Sequence, residues 1–299
     1  MIDMKRTKIE RILCPVDFSE YSVRACAYAS SLAHHCGAKL FVQHVVEIWQ
    51  YPCSSFAPTF DEYEKFWKDL RAQSREQLRS LVAGQISNDI EAESVTSQGV
   101  AADCILSFAT QHKINLIVMG THGVSGFERL MLGSATEKVL RKATCPVLAV
   151  PELPAETVAS MTSGNEVKLR QIVACADFSE SSNDAVDYAI SVAEDYDAKL
   201  ILVHVLEGVS ASQLAEETAV AYRNLDGLIP RQTRLGSKIE TIVRSGRAYR
   251  EIGKIARDIG ADLIVMGARG RNSVDAIFFG STTYRGIQSG VCPVLAICP

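Results

Sequence analysis

Two stretches of the chain carry glycines at a spacing suited to gripping an anion. One reads GTHGVSGFERLMLGSATEK, with glycines at 120, 123 and 133 and Ser134 next. The other reads GARGRNSVDAIFFGSTTYR, with glycines at 267, 270 and 280 and Ser281 next. The pattern G-x2-G-x9-G-S is therefore complete twice. Glycine accepts positive φ without a Cβ penalty, so neighbouring backbone N–H groups can converge on one point as an anion nest. Gly133-Ser134 opens a helix whose free N–H groups and dipole favour phosphate, and the Ser134 hydroxyl adds a donor. GxxxxGK[ST] is absent and no lysine takes the equivalent place, so this is not a Walker A loop. No GxGxxG fingerprint follows the first strand. One such loop could be a set of turns and caps; two, each after a matching strand, point to phosphate binding.

Other reactive side chains near these loops are few. Asp17 and Asp177 follow matching strands and have two readings: a cap for the next helix, or an acceptor for ribose or adenine donors. His122 lies in the first loop within reach of a phosphate. No GxSxG elbow is present, and no lysine is placed to act on a γ-phosphate. We therefore expect no catalytic residue, and at most slow ATP hydrolysis. A magnesium or manganese ion would be held mainly by phosphates and water, with no dedicated protein site.

The elements that must position these residues repeat. ILCPVDFSE (12–20) matches IVACADFSE (172–180), and AKLFVQHVVE (38–47) matches AKLILVHVLE (198–207). INLIVMGTHG (114–123) matches ADLIVMGARG (261–270), and TCPVLAV (144–150) matches VCPVLAI (291–297). The offset is 160 residues for the first two blocks and 147 for the last two, so the first copy holds 13 extra residues between its second and third strands. We place them at 48–63, where Trp49, Tyr51, Phe56 and Phe60 could form a lid, a contact surface or a loop packed on its own domain. The domains are expected at 1–152 and 168–299, with 153–167 as a linker, because 151–168 is rich in Pro, Ser, Thr and Gly and lacks helical periodicity.

Within the first copy the pattern predicts strands at 11–16, 39–46, 90–98, 114–120 and 146–150. Helices are expected from Ser19, as N-cap, to about His35, over 61–83, over 101–113 and over 132–143. Apolar runs separated by helices mean a parallel sheet covered on both faces, a doubly wound α/β, Rossmann-like fold with right-handed crossovers. Ligands bind such sheets beyond the carboxyl ends of the strands, which is where Asp17 and Gly120 fall. The last strands, PVLAV and PVLAI, are expected at sheet edges and able to pair with each other as a pseudo-twofold dimer. A further homodimer is compatible with this.

Composition excludes several classes. A net charge of −4 gives no overall basic surface for nucleic acid. The charged N-terminus has no apolar core of a signal peptide, and no apolar run reaches membrane-spanning length. Nine scattered cysteines without a CxxC pair read as reduced thiols in a cytoplasm, with Cys53 the first candidate for redox chemistry.

With PVDFSE and CADFSE, the HV pairs at 44–45 and 204–205, VMG and the doubled G-x2-G-x9-G-S loop, both halves resemble the universal stress protein family. The resemblance implies two five-stranded parallel sheets of order 3-2-1-4-5 and an ATP-binding member, with ADP or AMP as alternatives. It implies that Pro15, Val16 and Asp17 line the adenosine end and that the Val45 backbone meets the adenine edge. Met119 and Gly120 would lie at the ribose, with Gly123, Gly133, Ser134 and Ala135 around the phosphates. In the second copy, Asp177, Val205, Met266, Gly267, Gly270, Gly280, Ser281 and Thr282 take those places. The copies differ where His122 becomes Arg269, a fixed cation for phosphate or a solvated loop arginine. Gly126 becomes Ser273, with Asp275 nearby, and Pro15-Val16 becomes Cys175-Ala176. The implied function is a nucleotide-dependent stress-response or regulatory protein. The alternatives are a weak ATPase or nucleotide transferase, or an interaction module whose nest is vestigial.

Overall fold

The structure is a computed structural model that describes residues 8–47, 60–87, 89–123, 132–162, 166–268 and 280–298. The first copy runs β1 (Arg11–Val16), α1 (Glu20–Cys36), β2 (Lys39–Val46), α2 (Phe60–Gln85), β3 (Ala92–Gln98), α3 (Ala101–Gln111), β4 (Leu116–Gly120), α4 (Ser134–Lys142) and β5 (Val147–Val150). After α5 (Ala155–Thr162), the second copy repeats the order: β6 (Gln171–Cys175), α6 (Glu180–Tyr196), β7 (Lys199–Leu206), α7 (Leu214–Gly227), β8 (Ile239–Ser245), α8 (Ala248–Ile259), β9 (Leu263–Gly267), α9 (Ser281–Gln288) and β10 (Val294–Ile297).

Each copy is a parallel sheet of the expected order, and the two join in one ten-stranded sheet, β3-β2-β1-β4-β5-β10-β9-β6-β7-β8. The joint is antiparallel, with Leu148 opposite Leu295. Within the whole chain the last strands therefore lie at the centre, and the polar strands β3 and β8 form the edges. The central strands are buried along their length, which is why they read as unbroken apolar runs. Helices cover both faces, over one core containing Ile12, Leu40, Ile172 and Leu200 and another containing Leu13, Ile117, Val173 and Ile201.

Caps follow the sequence closely. The Ser19 and Ser179 hydroxyls accept from the N–H of Ser22 and Ser182, and Gly37 ends α1 at φ 62°. Ser19→Ala and Ser179→Ala should each cost about 1 kcal/mol, adding in the double variant because the sites share no partner. Chemical denaturation of the three variants measures this.

Two sequence readings need correction. The 151–168 connection is not structureless: α5 forms after Pro154, and Val158 and Met161 pack against the core beside α1. Eight residues, little more than two turns, are too few for apolar spacing to stand out from a Pro- and Ser-rich background. The extra length of the first copy goes largely into a longer helix, α2 having 26 residues against 14 in α7. The lid reading of Trp49, Tyr51 and Phe56, and Cys53 itself, lie outside the described residues. The cysteines among the described residues are free thiols, and no described helix is long and apolar enough to cross a membrane.

Candidate functional site

The site begins with the turn after β1. Asp17 Oδ1 accepts from the Ser19 N–H at 3.0 Å and from the Ser19 hydroxyl at 2.6 Å. Asp177 does the same with Ser179, at the same two distances. Of the two readings of these aspartates, the helix-cap role is thus present in both copies. It also pins each carboxylate at its strand end. Between Asp and Ser sit Phe18 and Phe178, held at φ 64° and 63°, a left-handed conformation unusual for an aromatic residue.

Sequence reasoning passed over what supports that strain. His44 Nδ1 lies 2.8 Å from the Val16 carbonyl, and His204 Nδ1 lies 2.7 Å from the Ala176 carbonyl, so each ring donates from Nδ1. The Phe18 and His44 rings are 4.4 Å apart, and Phe178 and His204 are 4.5 Å apart. Burial holds the His44 pKa below the usual histidine value, partly offset by the Val16 carbonyl and the Asp17 charge, so a neutral ring is favoured. The signal was available: both histidines and both phenylalanines are identical across the repeat.

The end of β4 meets this turn closely. A Cβ on Gly120 would lie 3.0 Å from the Tyr21 backbone, and one on Gly123 would lie 2.7 Å from Asp17 Oδ2. Gly123 is therefore glycine because the carboxylate needs the space. The returning chain is tied by the Gly133 N–H to the Thr121 carbonyl (2.9 Å) and by the Thr136 hydroxyl to the Gly120 carbonyl (2.9 Å). In the second copy the Gly280 N–H donates to Ala268 (2.9 Å) and Thr283 to Gly267 (3.0 Å). These threonines, also identical across the copies, clamp the helix start onto the strand end and were not singled out from sequence.

Gly133 and Gly280 stand as N-caps with no side-chain hydrogen bond to the helix. The first-turn N–H groups of α4 and α9, at Ser134, Ala135, Ser281 and Thr282, are thus not taken by the cap residue's side chain. His122 is half-buried beside Tyr21, its Nδ1 2.9 Å from the Thr121 hydroxyl, and desolvation lowers its pKa.

The structure brings Asp17, Gly123 and Gly133 into near contact, and Gly120 is tied to the start of α4 through Thr136. Pro15 and Val16 pair with Gln43 and His44 at the end of β2, next to Val45, and Met119 is buried in β4. In the second copy Asp177, Val205, Met266, Gly267, Gly280, Ser281 and Thr282 all line one cavity of about 820 Å³. That is at the large end of the roughly 300–1,000 Å³ range of small-molecule sites. Val220, Ala221 and Asn224 of α7 add a wall that the sequence did not reveal. Arg269, Gly270, Gly126, Ser273 and Asp275 lie outside the described residues.

The model of the universal stress protein family matches residues 8–151 and 168–297. A universal stress protein of Methanocaldococcus jannaschii is 32% identical over 143 residues, covering 47% of this chain and 81% of that protein. One of Synechocystis is 23% identical over 305 residues, covering 96% of this chain and 99% of its own length. The crystal structure of a universal stress protein from Archaeoglobus fulgidus has the same fold, with a TM-score of 0.67 and 22% identity over 98% of this chain and 97% of that one.

Proposed function

This chain belongs to the universal stress protein family, and from that we propose that it is a cytoplasmic, nucleotide-dependent regulatory protein with an ATP-type ligand in each copy. The observation that carries the reading is the second-copy cleft. There every described residue assigned to nucleotide lines one cavity running from the end of β6 to the start of α9. The adenosine half would rest between Asp177 and Val205, and the phosphates on the N–H groups that open α9. The acidic side chains lining the cavity are Asp177, Glu207 and Glu217. A phosphate at Gly280–Thr282 would meet the positive end of the α9 dipole. The first copy offers the same arrangement around Asp17, Gly123 and Gly133.

The described residues contain no group of three or more His, Cys, Asp or Glu suited to a metal ion. A magnesium or manganese ion arriving with ATP would be held mainly by the phosphates and water. The regulatory mechanism is linkage: ATP at 100 times its Kd stabilises the folded form by about 2.7 kcal/mol per site.

A double variant tests the phosphate assignment. Ser134 and Ser281 are exposed first-turn residues, so Ser134→Asp with Ser281→Asp favours both helices electrostatically while repelling phosphate. ATP affinity should fall at least tenfold, with adenosine affinity and stability retained. Unchanged ATP affinity would remove the assignment. Nucleotide released from the denatured wild-type protein, identified by chromatography, separates the alternatives. ATP near two per chain supports regulation by occupancy, ADP with turnover supports a weak ATPase, and nothing released or bound supports an interaction module.

A further inference from the structure

The second copy carries two complementary rows of charge on opposite faces of its sheet. α6 packs Ala185, Val186 and Ala189 into the core on one face, and α8 packs Ile252, Ile255 and Ala256 into the core on the other. Exposed on α6 are Glu180, Asp184 and Asp187, and exposed on α8 are Arg250, Lys254 and Arg257. None of the six is in an ion pair among the described residues. Both rows have the same i, i+4, i+7 spacing, with steps of about 6 Å and then about 4.5 Å along the helix.

Such rows work against the helices that carry them, because like charges three and four residues apart repel. The fold does not require them. The equivalent residues of the first copy are Glu20, Arg24 and Ala27 on α1, and Asp103, Ser107 and Thr110 on α3. There Glu20 and Arg24 neutralise each other at 3.1 Å. The nucleotide cleft does not require them either, since none of the six lines it.

Geometry favours a match between the rows. Arg250 Nε donates to the Tyr249 hydroxyl at 3.0 Å, and Arg285 of α9 lies over the Tyr249 ring at 4.7 Å. Anchoring of this kind reduces the side-chain entropy that an exposed ion pair costs. Strands β6 to β9 are parallel, so α6 and α8, each joining two of them, run the same way. A second chain displaced along the sheet normal would lay its α6 on α8 in parallel, bringing Asp184 to Lys254 and Asp187 to Arg257. A nucleic acid or an anionic lipid surface would match α8 but leave the α6 row without a partner.

We propose that this chain associates head to tail through its second copy, the acidic row of α6 in one molecule lying on the basic row of α8 in the next. The contact is heterologous, so it propagates into open, reversible assemblies instead of closing as a dimer. Salt screens it. The inference does not rest on nucleotide binding.

Sedimentation velocity of the full chain, at rising concentration and at low and high salt, tests this. At low salt the average mass should grow with concentration, and at high salt it should return to that of the smallest species. Asp184→Lys with Asp187→Lys, and separately Lys254→Glu with Arg257→Glu, should each weaken association at least tenfold. An equimolar mixture of these two double variants should regain it, since each supplies the row that the other lacks. Should a charge-reversed chain not fold, Asp187→Ala and Arg257→Thr carry the first copy's residues instead, and each should weaken association about threefold. No growth of mass at low salt, unchanged association in any variant, or a mixture of folded double variants that stays dissociated would overturn the proposal. Binding of a single-stranded oligonucleotide or of anionic vesicles by α8 without self-association would overturn it too, and would reassign that row.

Discussion

Gly267→Ala should lower the unfolding free energy by about 2 kcal/mol, and more than Gly120→Ala does. A Cβ on Gly267 would lie 2.7 Å from the Ser181 hydroxyl and 2.9 Å from the Ser181 carbonyl carbon and oxygen. Those last two atoms are backbone, locked into the first turn of α6, and cannot swing aside. The equivalent Cβ on Gly120 would meet the Tyr21 backbone at 3.0 Å, a milder overlap. The denaturation midpoint should therefore fall in both variants, further for Gly267→Ala, with the slope of the transition unchanged. Because Ser179 and Asp177 are bound to each other at the head of the same helix, the displacement also shifts the carboxylate. ATP affinity at the second site should drop at least tenfold. A Gly267→Ala protein with the wild-type midpoint would mean that β9 and α6 do not approach this closely.

An even larger loss is expected at the joint between the copies. Ala149 is fully buried in β5 and pairs with Val294 of β10. Ala149→Asp puts an unpaired carboxylate into the apolar core that covers one face of the joint, at a cost on the order of 4 kcal/mol. Both sheets lose their shared edge, so apolar strands β5 and β10 become exposed to intermolecular pairing. The expected result is a sharp fall in soluble yield and midpoint. Ser245→Asp, at an exposed position on edge strand β8, is the control and should stay within about 0.5 kcal/mol of wild type. Equal behaviour of the two variants would contradict the ten-stranded sheet.

Much of the site could be read from residue order because its parts are local and doubled. Asp17 and Ser19 are two residues apart, as are Asp177 and Ser179, so one short motif carries both the carboxylate and its anchor. Gly133-Ser134 and Gly280-Ser281 announce helix starts by composition. His44 and His204 escaped because their partners, the Val16 and Ala176 carbonyls, are 28 residues away. Nothing in the spacing of a strand says which backbone oxygen its neighbour will present. The α7 residues Val220, Ala221 and Asn224 escaped for a related reason, since a helix pattern gives its apolar face but not the cleft beside it.

The amino-acid sequence by itself determined the repeat, the strand and helix content of each copy, and the helix starts at Gly133-Ser134 and Gly280-Ser281. These depend on backbone preferences and short spacings, which act within a few residues. The pairing of β5 with β10 was expected from sequence, and only the tertiary structure decided its antiparallel register, with Leu148 opposite Leu295, and that Gly123 must leave room for Asp17. It alone also brought Tyr188, Tyr196 and Leu148 around a common space. Such contacts join residues far apart in the chain, and they exist only once edge strands have paired and side chains have competed for the same volume.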